Sequence, residues 1–338
     1  MADSQWTKKL VQDHARVAVA IELYTVPFYT TVMTSIKEKD EENEKGAYNI
    51  LRGILIEEMM HMQLAANLCL ALDTIPQMRP PGYSEDIPYL KPGVVINADM
   101  EPLNARTLAE MMAIETPEEI LEQDPTPGDN KGPQYPYSSI KEMYDALLYG
   151  IEQVGENQFG WNTTNQQKLW VDQGYPQIIR NIGDAEKAIE AIKQQGEGRE
   201  VGHDVRKPYK PSDFPVDPKY QMKNEAANGS LNGPYTKIAL GEISHYGRLL
   251  KIQQDALHND GLPKVYTGND NPDHPLNVEL SLKLRMMIAH FSTIWAGLPE
   301  GMPAVSPNIF WKAALDLMKD VTVLAESCWK EGVTPDWS

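Results

Sequence analysis

The chain has 338 residues, with 31 Lys and Arg against 48 Asp and Glu, and its net charge is −17. This acidic surplus argues against nucleic acid and anionic membrane surfaces as partners, because both repel negative charge. The two cysteines, Cys69 and Cys328, predict no disulfide framework, and no run approaches the roughly eighteen apolar residues of a membrane span. Composition therefore predicts a cytoplasmic protein.

Apolar residues recur at helical spacing through most of the chain, whereas the alternation typical of strands is scarce. The pattern predicts an all-α protein. Segments rich in Pro, Gly, Asn or charged residues separate the helices. The predicted helices span residues 5–37, 48–72, 106–115, 138–158, 183–195, 235–257, 278–296 and 308–330.

Two of the irregular segments bear on the architecture. Residues 74–104 are rich in Pro and Gly, and a connection of this length is typical of a crossover in a four-helix bundle. Residues 199–234 show little apolar periodicity, so we interpret them as an inserted loop or lid. We assign residues 1–260 to a four-helix bundle with this crossover and insertion, and residues 261–338 to a C-terminal helical extension packed on it.

Charged residues interrupt the apolar rows of the predicted helices. In the first helix, Glu22 is the single charge in a row that runs from Val11 to Ile36. In the second, Glu58 and His61 stand in a run that is otherwise almost wholly apolar. Their spacing of three places them on one helical face, about 60° apart. Buried charge is costly unless it is compensated, and a bound metal compensates carboxylates and imidazoles together.

The Glu-x-x-His spacing recurs in the helix predicted for residues 235–257, at Glu242 and His245. One pair of this kind often arises by chance on a solvated face. Two pairs in apolar rows, with a lone inward Glu on a third helix, are three quarters of a dinuclear carboxylate site in a four-helix bundle. Two hard ions about 3.5–4 Å apart need carboxylates to offset their charge, and one imidazole per ion leaves positions open for dioxygen or substrate.

Periodicity leaves three candidates for the remaining carboxylate. Glu152 shares its helical face with other charged residues, which favours a solvated position. Glu197 follows an apolar row and lies between two glycines at a helix end. Glu115 closes the short helix that follows the crossover, a place suited to a helix cap or an ion pair.

Glu57 is a second acid in the run that carries Glu58. On a helical projection it lies about 100° from Glu58 and about 40° from His61. It therefore either replaces Glu58 as a ligand or supports it.

Five motifs follow one another between residues 10 and 255. They read IELYTVPFY at 21–29, EEMMHM at 57–62 followed by Ala66 and Asn67, AIETP at 113–117, AIEAIKQQGEG at 188–198 and SHYGR at 244–248. Together they resemble the ferritin-like domain family of the iminophenyl-pyruvate dimer synthases, enzymes that couple oxidised amino acids in bisindole pigment pathways. The resemblance implies a ferritin-like fold, iron as the metal, and Glu197 of the Gly-Glu-Gly motif as the remaining carboxylate.

These observations predict a non-haem di-iron oxidase or oxygenase, with manganese or another divalent metal as the alternative to iron. The expected partners are dioxygen and a small organic substrate, for which the resemblance implies an amino acid or its imine in secondary metabolism. The sequence permits a homo-oligomer without specifying one. The expected metal ligands are Glu22, Glu58, His61, Glu197, Glu242 and His245.

Two other functions compete with this prediction. A metal-handling protein would oxidise or sequester iron without an organic substrate. The long insertions and extra helices argue against this function, because storage favours compact bundles in a symmetric shell. A scaffold whose site has decayed would bind far less than one metal per chain, and a scaffold with a single structural metal would bind one.

Overall fold

The computed structural model describes residues 5–39, 43, 45–83, 89–91, 98, 100–117, 136–170, 172–198, 208–223, 241–258, 261–297 and 307–338. Within these ranges the chain forms eight α-helices and no β-strand, which confirms the predicted all-α class. The helices are α1 (Lys8–Thr34), α2 (Ala47–Ala71), α3 (Ala105–Ile114), α4 (Ile140–Val154), α5 (Ile182–Gly196), α6 (His245–His258), α7 (Pro275–Ala296) and α8 (Pro307–Lys330).

Five of the described helices begin where a side chain accepts a hydrogen bond from one of the first backbone N–H groups, which have no partner within the helix. The Thr7 side chain accepts from Leu10 N at the start of α1, and the Ser139 side chain accepts from Glu142 N at the start of α4. Nearly every residue of α2 is buried, its acids and His61 included, as expected for a helix that has apolar residues on every face. The local sequence thus sets the starts of the capped helices, and the burial of α2 places that helix at the centre of the fold.

α1 is long and apolar enough to cross a membrane by length and composition alone. In the structure, however, 94% of its most apolar window is buried inside the protein. α1 packs along α2 and also contacts α4 and α8. Its apolar surface is therefore covered by other helices of the same chain, as in the central helix of a folded core.

Four helices contact one another in a closed ring: α1 packs on α2, α2 on α5, α5 on α4, and α4 on α1. α6 packs against α2, α3 and α5. A four-helix bundle is present, as the sequence predicts, but its members differ from the prediction: α6, expected as the last helix of the bundle, packs with α3 at the side where α2 and α5 meet. The packing brings the middles of α1 and α2 close to the end of α3 and the start of α6.

The last helix predicted for the bundle begins later than expected, at His245. Residues 241–244 lead into it as a turn followed by extended backbone, and Val216 N donates to Glu242 O. This hydrogen bond joins the stretch to the insertion and not to a helical turn. The predicted position of Glu242 on a helix is therefore wrong, while residues 235–240 lie outside the described residues.

The described part of the insertion, residues 208–223, is packed against the rest of the chain. Phe214, Val216 and Tyr220 are buried, and a single turn of 3-10 helix at Pro211–Asp213 contacts α6. The backbone is irregular, as the sequence predicts for an inserted loop. Its apolar side chains nevertheless anchor it beside the start of α6.

The C-terminal helices pack on the first two helices of the bundle. Trp295 Nε1 donates to Asn67 Oδ1 at 2.9 Å. Trp329 Nε1 donates to Thr31 O at 3.0 Å, and Trp337 Nε1 donates to Thr31 Oγ1 at 2.7 Å. One cluster of buried apolar side chains continues from α1 and α2 into α7 and α8, so these helices share a core with the bundle.

Candidate metal centre

The structure brings four of the six predicted ligands together in the core. Glu22 on α1, Glu58 and His61 on α2, and His245 at the start of α6 are all buried. Glu58 Oε1 lies 3.8 Å from His61 Nδ1 and 2.8 Å from His245 Nδ1, and Glu22 Oε2 lies 3.6 Å from His61 Nδ1. One carboxylate oxygen therefore lies beside both imidazoles, whose ring centroids are 5.3 Å apart.

Glu115, one of the three candidates for the remaining carboxylate, also reaches this cluster. Its Oε1 lies 3.5 Å from His245 Nδ1, and the Tyr29 hydroxyl donates to the same oxygen at 2.6 Å. Glu115 is the C-cap residue that follows α3, and α3 packs against α6. This packing places a carboxylate from the end of one helix against an imidazole from the start of another.

The other predicted acids differ in their distance from the cluster. Glu197 is buried and lines the same cavity as Glu22, Glu58 and His61, and its Oε1 accepts from Lys141 N at 2.8 Å. Glu242 is exposed and lies in the turn before α6, so the structure does not bring it to the cluster. Glu152 is exposed on α4, as its helical face predicts.

The outer nitrogen of each imidazole contacts an acceptor. His61 Nε2 lies 2.8 Å from Gln195 Oε1, and His245 Nε2 lies 2.9 Å from Glu57 Oε2. Arg248 Nη2 donates to the same oxygen of Glu57. An acceptor on one ring nitrogen keeps the proton there and leaves the other nitrogen available as a ligand. Glu57 therefore supports His245 and does not replace Glu58 in the cluster.

Two hydroxyl groups hold the carboxylates on the α1 side. The Tyr144 hydroxyl donates to Glu22 Oε1 at 2.6 Å, and Thr25 Oγ1 donates to Glu58 Oε2 at 2.8 Å. All four groups are buried, and hydrogen bonds to charged groups in a low-dielectric interior are strong. These contacts fix the orientation of the carboxylates.

The two glycines of the Gly-Glu-Gly motif lie where a side chain would come too close to neighbouring atoms. A Cβ at Gly196 would lie 3.3 Å from Glu115 Oε2. Gly198 has a φ of +79°, and a Cβ there would lie 2.8 Å from Cβ and Oγ of Ser244, the residue before His245. The two glycines thus let the end of α5 approach both the Glu115 carboxylate and the start of α6.

Burial and neighbouring charges shift the pKa values of the cluster in opposite directions. Burial, together with the negative charge of Glu115, raises the pKa of Glu58 to about 7. Burial alone would lower the pKa of His245, but contacts with Glu115, Glu57 and Glu58 outweigh it and raise that pKa well above its usual value. Burial alone would raise the pKa of Glu115, but His245 and the Tyr29 hydroxyl outweigh it and lower that pKa. The raised pKa values of Glu58 and His245 favour bound protons on these two groups, and metal ions would replace those protons.

The residues present fit a metal ion. His245 Nδ1 is buried and makes no hydrogen bond of acceptable geometry with any described residue, although carboxylate oxygens lie 2.8 and 3.5 Å from it. Glu58, His61 and His245 each offer one ligand atom, and these atoms lie within 4.8 Å of one another. The cavity between the acids measures about 30 Å³, which is room for about two water-sized groups.

Sequence reasoning missed several residues that contact the centre, among them Gln195 and Tyr144, although Gln195 could have been found. Gln195 is fully buried, and it continues the apolar row of α5 one turn after Ile192. A polar residue in an apolar row departs from the helical pattern, as Glu22 does in α1. Tyr144 lies in the apolar row of α4, where nothing in the sequence distinguishes a core tyrosine from one that contacts a carboxylate.

Comparisons with known proteins agree with this fold. The family model described as ferritin-like matches residues 15–221. The crystal structure of a ferritin-like protein from Caulobacter vibrioides superposes with a TM-score of 0.66 at 22% sequence identity, covering 99% of each chain. A comparison with curated proteins gave no significant match. The chain belongs to the ferritin-like family.

Proposed function

We propose that the chain is a metal-dependent oxidase or oxygenase with a dinuclear non-haem iron centre. The observation that carries the proposal is the buried cluster in which Glu58 Oε1 lies between Nδ1 of His61 and Nδ1 of His245. Burying several carboxylates and imidazoles so close together costs free energy unless cations compensate their charge. Di-iron proteins of the ferritin-like fold use the same residue types in the core of a bundle.

The contacts support a particular division of the ligands. Glu22 and His61 would hold one metal, because Glu22 Oε2 is the carboxylate oxygen nearest to His61 Nδ1. Glu115 and His245 would hold the other, and Glu58 would be shared between the two. Glu197, which lines the same cavity, is the further carboxylate within the set. Glu242 is not part of this set, because its side chain is exposed.

Iron in such a site supplies the redox chemistry by which dioxygen oxidises an organic substrate. The protein contributes the binding and orientation of the ions. Gln195 and Glu57 hold the outer imidazole nitrogens, while Tyr144, Thr25 and Tyr29 hold the carboxylates. We propose an amino acid or its imine as the substrate class, on the resemblance of the five sequence motifs to the iminophenyl-pyruvate dimer synthases.

The test is to load metal-free protein with Fe²⁺ under anaerobic conditions, count bound iron, and then measure oxygen uptake on exposure to air. We expect about two iron ions per chain and rapid oxygen uptake for the wild type. Glu58→Gln should lose most of the iron and the uptake, because the shared carboxylate becomes a neutral amide. Glu242→Gln is the matched control, since it removes an exposed acid, and it should behave as wild type.

Circular dichroism should show the same helical content for both variants. The proposal of a metal centre would be wrong if the wild-type protein bound far less than one iron per chain. A Glu58→Gln variant with full iron content would contradict the shared role of Glu58. Protein that binds two irons and consumes no dioxygen would exclude the oxidase.

A second candidate, iron oxidation or storage without an organic substrate, is favoured by one observation. The cavity at the cluster measures about 30 Å³ among the described residues, enough for ions and water but not for an amino acid. Oxygen uptake separates the two functions. An iron-handling protein takes up dioxygen in proportion to the Fe²⁺ supplied, whereas an oxidase continues to consume it when an organic substrate is added.

A further inference from the structure

One face of α7 is apolar and, within the described part of the chain, exposed to solvent. Val278, Leu282 and Met286 are 57%, 57% and 42% exposed. They are four residues apart, so they lie in one row along the helix, and the exposed Ala289 continues this row. Single exposed apolar residues are ordinary, whereas a contiguous row of them marks a site of protein contact.

α7 also lacks the acidic surplus of the rest of the chain. It carries one acid, Glu279, and two bases, Lys283 and Arg285, in a chain whose net charge is −17. Two copies of so acidic a chain repel each other over most of their surfaces. The repulsion is weakest where an apolar row with a small positive charge faces the second copy. The charge of α7 therefore favours this helix as the place where two copies make contact.

A groove of about 320 Å³ runs beside the apolar row, and its charged lining residues are Arg285 and Asp336. Asp336 follows α8, and its N–H donates to Asn277 Oδ1 at 3.0 Å, which places it beside the start of α7. Arg285 lies eight residues beyond Asn277, about 12 Å further along the helix. Neither Arg285 nor Asp336 forms an ion pair with any described residue. The groove thus has an acid at one end and a base at the other.

This placement of charge is self-complementary under a twofold axis. In a symmetric dimer, a residue that contacts a second residue of the partner is matched by the reverse contact. When two α7 helices run antiparallel about an axis beside Ser281, residues equally far from Ser281 on either side meet across the interface. Arg285 of one copy then lies at the level of Asn277 of the other, beside Asp336. The reverse pair forms at the other end of the groove.

The opposite edge of the row fits the same axis. On a helical projection Glu279 and Lys283 lie on the other side of Leu282 from Arg285, and antiparallel helices bring like edges together. Glu279 and Lys283 are each two residues from Ser281, so the axis brings Glu279 of one copy to Lys283 of the other. Lys283 also pairs with Asp320 on α8 at 2.8 Å. One axis therefore matches acids to bases on both edges.

We infer that α7 is the interface of a homodimer, in which two copies of this helix pack antiparallel about a twofold axis. Leu282 lies next to the axis and contacts its counterpart on the second copy. Val278 and Met286, one turn away on either side, pack against the apolar row of the second copy. Ion pairs between Arg285 and Asp336 border this contact twice in each dimer.

Sedimentation equilibrium of the full chain tests this inference, and we expect the wild type to be a dimer at micromolar concentration. Leu282→Asp should raise the dimer dissociation constant about tenfold or more, because it places a charge in the apolar contact beside the axis. Leu257→Asp is the matched control, since Leu257 is 80% exposed on a different helix, α6. It should change the constant by about twofold at most. Thermal melts establish that each variant is folded.

Exchange of the charged pair tests the antiparallel arrangement. Arg285→Asp and Asp336→Arg, each alone, should weaken the dimer about tenfold or more, because each creates two like-charged pairs per dimer. The variant that carries both changes restores opposite charges, and its dissociation constant should return to within about threefold of wild type.

A wild type that remains monomeric at the highest soluble concentration would overturn the inference, and the apolar face would then serve a segment of the same chain or a different partner. A Leu282→Asp variant that dimerises as wild type does, or an exchanged variant as weak as the two single ones, would overturn it as well. Glu58→Gln should dimerise as wild type does, so this interface and the metal centre are tested separately.

Discussion

At the residue scale, the two imidazoles are held from both sides. Nδ1 of His61 and Nδ1 of His245 face carboxylates, while the Nε2 atoms contact Gln195 and Glu57. The acceptor on the outer nitrogen selects the ring tautomer whose inner nitrogen can bind a metal. Gln195 and Glu57 thus act on a metal only through the histidines that they orient.

Gln195→Leu should weaken iron binding about 10- to 100-fold, the usual effect of losing an acceptor behind a metal-binding histidine. Gln195→Glu keeps an acceptor at this position and should bind iron more tightly than the leucine variant. Metal titration monitored by a competing chelator measures both. Gln194→Leu is the matched control, because that side chain donates to Glu190 on its own helix. Equal iron affinities for Gln195→Leu and Gln194→Leu would show that Gln195 does not position His61.

At the scale of elements, the centre depends on helix ends as much as on helix middles. Glu22, Glu58 and His61 lie inside α1 and α2, where the backbone fixes their spacing. Glu115 follows the last residue of α3, and His245 is the first residue of α6. The start of α6 is held by Ser244 N, which donates to Phe214 O in the insertion. The insertion is therefore part of the scaffold of the centre.

Gly198→Ala should both destabilise the fold and weaken iron binding. The residue has a φ of +79°, and a Cβ there would collide with Ser244 beside His245. Gly332→Ala is the matched control, because Gly332 has a φ of +73° but a Cβ added there would meet no described atom within 4 Å. Both variants should lose about 1 kcal/mol or more of the free energy of unfolding through backbone strain. Only Gly198→Ala should also lower iron affinity in a chelator titration, and unchanged affinity would contradict the steric role of this glycine.

At the scale of the whole molecule, the centre connects elements that are distant in sequence. It joins α1, α2, the end of α3 and the start of α6, and the acids at its core are buried with few compensating cations. Arg248 pairs with Glu57, while Glu22, Glu58 and Glu115 rely on hydroxyl groups and imidazoles. Metal ions would compensate these charges only in the folded state.

Metal binding should therefore raise the thermal midpoint of the whole chain. At a free metal concentration 100 times the dissociation constant, the folded state gains about 2.7 kcal/mol. Scanning calorimetry with and without Fe²⁺ under anaerobic conditions, or with Mn²⁺ in air, measures the shift. Glu58→Gln should show little or no shift, and Glu242→Gln should shift as wild type does. A wild-type midpoint that does not respond to either metal would contradict the proposed centre.

Helical periodicity is enough to predict the helices and the acids and imidazoles within them. Glu22 and the pair Glu58 and His61 were recognisable because helical periodicity is local, so charge in an apolar row is visible without knowledge of the fold. His245 was found by the same reasoning, although it proves to begin a helix. The all-α class and the bundle followed from the same periodic pattern.

Which residues from helix ends and loops join the cluster depends on how the helices pack. The tertiary structure brings in Glu115 and excludes Glu242, because the packing of α3 on α6 and the pairing of Val216 with Glu242 are long-range contacts. It likewise assigns Gln195 to His61 across 134 residues of sequence. Spacing along the chain determines the relative position of two side chains only while the backbone between them is helical. Beyond a helix end, the packing of the helices determines which side chains meet.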